Sequence, residues 1–145
     1  MGLLDVSGSA LQAQRVRAEV VAANMANAET TRTPEGGPYQ RHHVVFSAAD
    51  GQSFGVSLLG AVSGAKPAPA GGVEVTGVIT DEAAPLMRFD PTHPDAGPNG
   101  YVAYPDINPL TEMVDLMGAS RSYGLNISAV QAEKGMLNSS LDLLK

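Results

Sequence analysis

The sequence contains no cysteine and no tryptophan in 145 residues, and aromatic residues make up only 5% of it. Without thiols there is no disulfide scaffold, no thiol nucleophile and no thiolate metal site. Positive charge is also scarce: nine Lys and Arg stand against fifteen Asp and Glu, a net charge of −6. The nine are scattered, so no basic stripe can neutralise a row of phosphates, and nucleic acid is not an expected partner. No window approaches the roughly 18–20 consecutive apolar residues of a membrane span, so lipid insertion is not expected either. The start, Met1-Gly2-Leu3-Leu4-Asp5, lacks the basic and apolar regions of a secretory signal, and Val6 stands where a myristoylation motif needs Ser or Thr. A role outside the cytoplasm therefore implies export without a signal peptide.

Recognisable catalytic patterns are missing as well. There is no Gly-x-Ser-x-Gly elbow, no Walker loop and no Gly-x-Gly-x-x-Gly after a strand. The only histidines are His42, His43 and His93, and adjacent residues on a strand point to opposite faces, so the pair is a poor chelate. Asp81, Glu82, Asp90 and Asp95 offer carboxylates for glycoside hydrolysis, but they lie in loop-like sequence where acidic side chains are ordinarily solvated. Asn126-Ile127-Ser128 and Asn138-Ser139-Ser140 match the N-glycosylation pattern only inside a helical stretch. No catalytic residue, metal ligand or cofactor is expected.

What the chain does have is a sharp partition of helix breakers. All ten prolines fall between Pro34 and Pro109, and eleven of sixteen glycines fall between Gly36 and Gly100. The plan is a helix, a turn-rich middle and a second helix: residues 1–30, 31–107 and 108–145. In the first, Leu4, Leu11, Ala18 and Met25 recur every seven residues, with Val21 and Ala28 three further on, which predicts a helix near residues 5–29 with one apolar stripe. Asn24 and Asn27 sit beside that stripe, where an amide either frays the helix end or fixes register between chains.

The last segment opens with Asn108 as cap and Pro109 at the first helical position, while Glu112 and Asp115 suit the positive end of the helix dipole. A heptad follows through Met113, Leu116, Ser120, Tyr123, Ile127, Val130, Lys134, Leu137, Leu141 and Leu144, broken only by Ser120 and Lys134. Gly118, Gly124 and Gly135 weaken the isolated helix by about 1 kcal/mol each relative to Ala. Strands are predicted at Gln40–Phe46, Gly55–Val62, Gly72–Thr80, Met87–Phe89 and Tyr101–Tyr104, and Asn99-Gly100 suits a tight turn with positive φ. The expected fold class is α+β: long terminal helices in an antiparallel coiled-coil stalk, with a small β-rich insert between them. The helices differ in length, which leaves about 18 Å of the second without an intrachain partner. Leu137, Leu141 and Leu144 lie there, as a surface for another chain.

Ala22-Ala23-Asn24-Met25-Ala26-Asn27-Ala28-Glu29-Thr30-Thr31 resembles the N-terminal signature of bacterial flagellar rod and hook proteins. Gly100-Tyr101-Val102, Pro105-Asp106-Ile107-Asn108, Glu112-Met113-Val114-Asp115-Leu116 and Ala119-Ser120-Arg121-Ser122-Tyr123 through Asn126 resemble the proximal-rod members of that family. The resemblance implies a structural subunit of the basal-body rod that polymerises into a helical drive shaft across the periplasm and transmits torque. It implies contacts with copies of itself, with other rod proteins and with the adaptor between the MS ring and the rod base. It also implies passage through the flagellar type III export apparatus. The assembly interface would then run over Leu4, Leu11, Ala18, Val21, Asn24, Met25, Asn27 and Ala28 of the first helix, and over Met113, Leu116, Tyr123, Ile127, Val130, Leu137, Leu141 and Leu144 of the last. A soluble coiled-coil adaptor or export-associated chaperone would use the same seam, and is the alternative; a small hydrolase is a weaker third reading.

Overall fold

The computed structural model describes residues 3–48 and 71–143. In order, its elements are α1 (Leu3–Ala26), β1 (His42–Ala48), β2 (Val73–Thr80), β3 (Leu86–Phe89), β4 (Tyr101–Tyr104) and α2 (Pro109–Asp142), an α+β chain. The expected strand over Gly55–Val62 and the residue Leu144 lie outside the described residues. None of the described helices is long and apolar enough to cross a membrane.

The terminal helices are where the breakers allow them, with small shifts at the ends. α1 stops at Ala26 rather than near residue 29, because Asn27 diverts the backbone into a turn. Its side-chain amide donates to the Ala23 carbonyl at 2.9 Å, and its own carbonyl and side-chain oxygen accept from the Thr30 N–H and hydroxyl. α2 begins as expected: Asn108 Oδ1 accepts the Leu110 N–H at 3.0 Å and its carbonyl accepts the Glu112 N–H at 3.1 Å. β1 starts two residues later than expected, at His42, whose N–H and carbonyl pair with the Asn24 side chain.

The chain folds as two compact units, each assembled from stretches distant in sequence. One draws on Met1–Arg15, Val45–Gly77 and Ser120–Lys145. In it, Ser9 Oγ accepts the Val73 N–H at 3.1 Å and donates to the Val6 carbonyl, tying the entry of β2 to α1. Thr76 Oγ1 donates to Ser47 Oγ across the β1–β2 pair. Along α2 the half-buried positions here are Ser122, Asn126, Val130 and Glu133.

The second unit draws on Val16–Val44 and Val78–Ala119. β3 and β4 form an antiparallel pair in the register Leu86↔Tyr104, Met87↔Ala103, Arg88↔Val102 and Phe89↔Tyr101. The connection closes through Asp90 N–H to the Gly100 carbonyl, and Gly100 has the expected positive φ, 74°. A Cβ there would stand 2.9 Å from the Phe89 ring, so the ring and the backbone both require glycine. Val102 and Ile107 are buried, and on α2 the buried positions are Glu112 and Ala119.

These burial patterns overlap the expected heptad only at Leu116 and Val130. The sheltered positions of α2 include 112, 119, 126 and 133, one residue earlier than the predicted 113, 120, 127 and 134. One residue is about 100° around a helix, so the sheltered side is turned toward one edge of the predicted stripe. Of the predicted seam, Met113, Tyr123, Ile127, Leu137 and Leu141 are exposed, while Leu116 and Val130 are half-buried. The inward face is mostly small or polar, which closes helices tightly only where each polar group finds a partner.

Candidate functional site

Those partners are concentrated in the second unit, at the end of α1. Asn24 is 1% exposed. Its Nδ2 donates to the His42 carbonyl at 2.8 Å while its Oδ1 accepts the His42 N–H at 2.9 Å, so the side chain pairs with one residue of backbone as a neighbouring strand would. The second Nδ2 hydrogen goes to Glu112 Oε2 at 3.3 Å, and Oδ1 also accepts from the Tyr39 hydroxyl at 3.2 Å. Two donors and two acceptors fill the whole capacity of a primary amide. Within the chain, Asn24 therefore ties the end of α1 to His42, Tyr39 and Glu112. Asn27, half-buried, is likewise spent on its own turn.

Glu112, also 1% exposed, is the second centre. Its Oε1 accepts from Arg41 Nε at 2.7 Å and from Arg41 Nη2. Arg41 extends to Asp115 at 4.0 Å, and Asp115 accepts from Arg17 of α1 at 3.1 Å. Two guanidinium groups thus face two carboxylates, and charge cancels locally, which is what permits a carboxylate to be buried. Burial raises the pKa of Tyr39, and the nearby Glu112 charge raises it further. The His42 ring packs against Tyr39 at 5.2 Å.

The loop that brings Tyr39 and Arg41 to this point is a folded-back excursion from the end of α1. Tyr39 N–H reaches the Thr30 carbonyl at 3.0 Å and Thr33 N–H the Gly37 carbonyl at 2.9 Å, around Gly36 and Gly37 at φ 94° and 80°. Asp95 accepts from Thr31 at 2.8 Å and lies 3.8 Å from Arg32. Three of the candidate carboxylates are therefore committed elsewhere. Besides Asp95, Asp81 pairs with His43 at 3.3 Å, and Asp90 accepts from the Thr92 N–H and hydroxyl, which lower its pKa. The two adjacent histidines are turned to different partners, Tyr39 and Asp81.

Several apolar side chains expected in the assembly interface lie outside this junction. At the start of α2, Leu110, Val114 and Met117 are exposed on the side away from Glu112 and Ala119. Further along, Leu137 is 51% and Leu141 61% exposed. In α1, Leu4 is exposed, Leu11, Ala18 and Met25 are half-buried, Val21 is buried, and Ala28, just past the helix, is half-buried. Sequence reasoning missed Arg17, Tyr39, Arg41, Glu112 and Asp115 as a cluster. The available signal was Asn24 itself, a polar residue beside an apolar stripe, which needs partners if it is covered.

Comparison with known proteins gives matches at both ends of the chain. A family described as "Flagella basal body rod protein" matches residues 4–32, and one described as "Flagellar basal body rod FlgEFG protein C-terminal" matches residues 99–143. Three relatives carry the name flagellar basal-body rod protein FlgC. The protein of Bacillus subtilis (strain 168) is 44% identical, covering 98% of this chain and 96% of the relative. That of Salmonella typhimurium is 38% identical, covering 99% and 96%. That of Borreliella burgdorferi is 34% identical, covering 100% and 99%. Both terminal signatures and the whole length between them place the chain in the FlgC family of flagellar basal-body rod proteins.

Proposed function

We infer that the chain is a structural subunit of the bacterial flagellar basal-body rod, which polymerises through its terminal helices into a helical drive shaft. The observation that carries this is the division of α2: its inward face is mostly small or polar, and most of its large apolar side chains face solvent. Each exposed Leu or Met forgoes roughly 1.5–3 kcal/mol of burial, which neighbouring subunits would recover. The axial core would be residues 1–30 and 108–145, with residues 31–107 as an insert carried on it. The helices would lie antiparallel as a coiled-coil stalk, a reading supported by the opposite order of the Arg17–Asp115 and Asn24–Glu112 links along them. Contacts between successive subunits would be head-to-tail, and a heterologous interface that does not close gives an open helical array. Its neighbours would be copies of itself, other rod proteins and the adaptor at the rod base, reached after export through the type III apparatus. The alternative of a soluble adaptor or chaperone has no counterpart among these three relatives, which are named as rod proteins.

The test is a double change, Leu137→Asp with Leu141→Asp. Both side chains are more than half exposed, so the purified subunit should melt as the parent does while rod completion and swimming are lost. Normal motility in that strain would contradict the reading.

A further inference from the structure

The junction around Asn24 joins three stretches that are far apart in sequence: the last turns of α1, residues 39–42, and the first turns of α2. Each stretch holds polar groups satisfied by the other two. His42 offers its backbone N–H and carbonyl to Asn24 of α1. Arg41 from the same stretch grips Glu112 of α2, and Asn24 completes that carboxylate from α1. Arg17 of α1 and Asp115 of α2 add a fourth link.

Removing any one stretch leaves a buried group without its complement. With α2 absent, Asn24 loses a hydrogen-bond acceptor and Arg41 its principal anion. With residues 39–42 absent, Glu112 is left without Arg41. With α1 absent, the His42 backbone loses its partner for both groups. A buried polar group left unpaired is strongly disfavoured, so partial arrangements gain little from any two stretches meeting.

We propose that Asn24, Arg41 and Glu112 form a three-way lock that makes the ordering of α1's end, residues 39–42 and α2's start a single event. The lock goes beyond the rod reading and does not depend on it. Because Glu112 lies on the last element, the N-terminal stretches have no complete partner set until α2 is present.

Hydrogen exchange on the purified full-length chain tests this, read at the amides of residues 17–26, at His42 and at residues 112–119. In the parent protein the three stretches should open together, with protection factors agreeing within about threefold. Glu112→Ala should separate them by more than about tenfold, because the carboxylate that both Asn24 and Arg41 bind is gone. Glu112→Gln keeps an acceptor without the charge and should give an intermediate spread; it also serves if the alanine variant does not fold. Val102→Ala, a buried change on β4 outside the junction, should lower all three stretches alike. Independent exchange of the stretches in the parent, or a uniform drop in both Glu112 variants like that of Val102→Ala, would overturn the lock.

Discussion

Glu112 is the residue on which the second unit turns, because a carboxylate at 1% exposure is tolerable only beside its guanidinium partner. Glu112→Ala leaves Arg41 without its principal anion, although the Arg41 side chain is still 27% exposed. The expected loss is about 2–3 kcal/mol in a denaturant melt, below the figure for a fully buried orphan because water still reaches the guanidinium. Glu112→Gln should lose less than Glu112→Ala, since its amide oxygen can still accept a hydrogen bond from Arg41. Tyr39 makes a separate prediction. Its folded-state pKa lies above the ordinary value of 10.0, chiefly through burial and then through the Glu112 charge. The protonated phenol is thus favoured in the folded state, and the contribution is intact below the unfolded pKa and fades as pH rises through the folded one. Stability should fall above about pH 10, and Tyr39→Phe should remove part of that alkaline loss in a pH series of melts. This cluster is not legible as a cluster in the sequence. Glu112 and Asp115 read there only as acidic residues suited to a helix start, because what decides their role is the return of residues 39–41, a long-range event.

Among the elements, the hairpin of β3 and β4 and the two helices show opposite degrees of legibility. Tyr101–Tyr104 and the positive φ at Gly100 follow directly from turn chemistry and short apolar alternation. Gly100→Ala should destabilise the hairpin by about 1–2 kcal/mol, combining strained φ with the push on Phe89, and a thermal melt reads it. The existence of α1 and α2 is equally plain from the placement of prolines. Their inward faces are not. α2 carries apolar residues on several sides, including Leu110, Met113, Val114, Met117 and Leu125, so periodicity alone does not select one side. The side that closes is chosen by Ala119, which is small, and by Glu112, whose carboxylate is paired; neither has large hydrophobicity to announce it.

At the scale of the whole molecule, many large apolar side chains on a 34-residue helix remain uncovered within one chain. In the rod reading proposed above, that surface would belong to neighbours rather than to solvent. The direct measurement uses the complete absence of cysteine, which makes a single introduced thiol unique. Leu137→Cys and Leu141→Cys variants should react rapidly with a maleimide as purified subunits, since both positions are open there. In intact basal bodies the same thiols should be protected by at least about tenfold, in keeping with burial against adjoining chains. Equal reactivity in subunit and basal body would contradict the account.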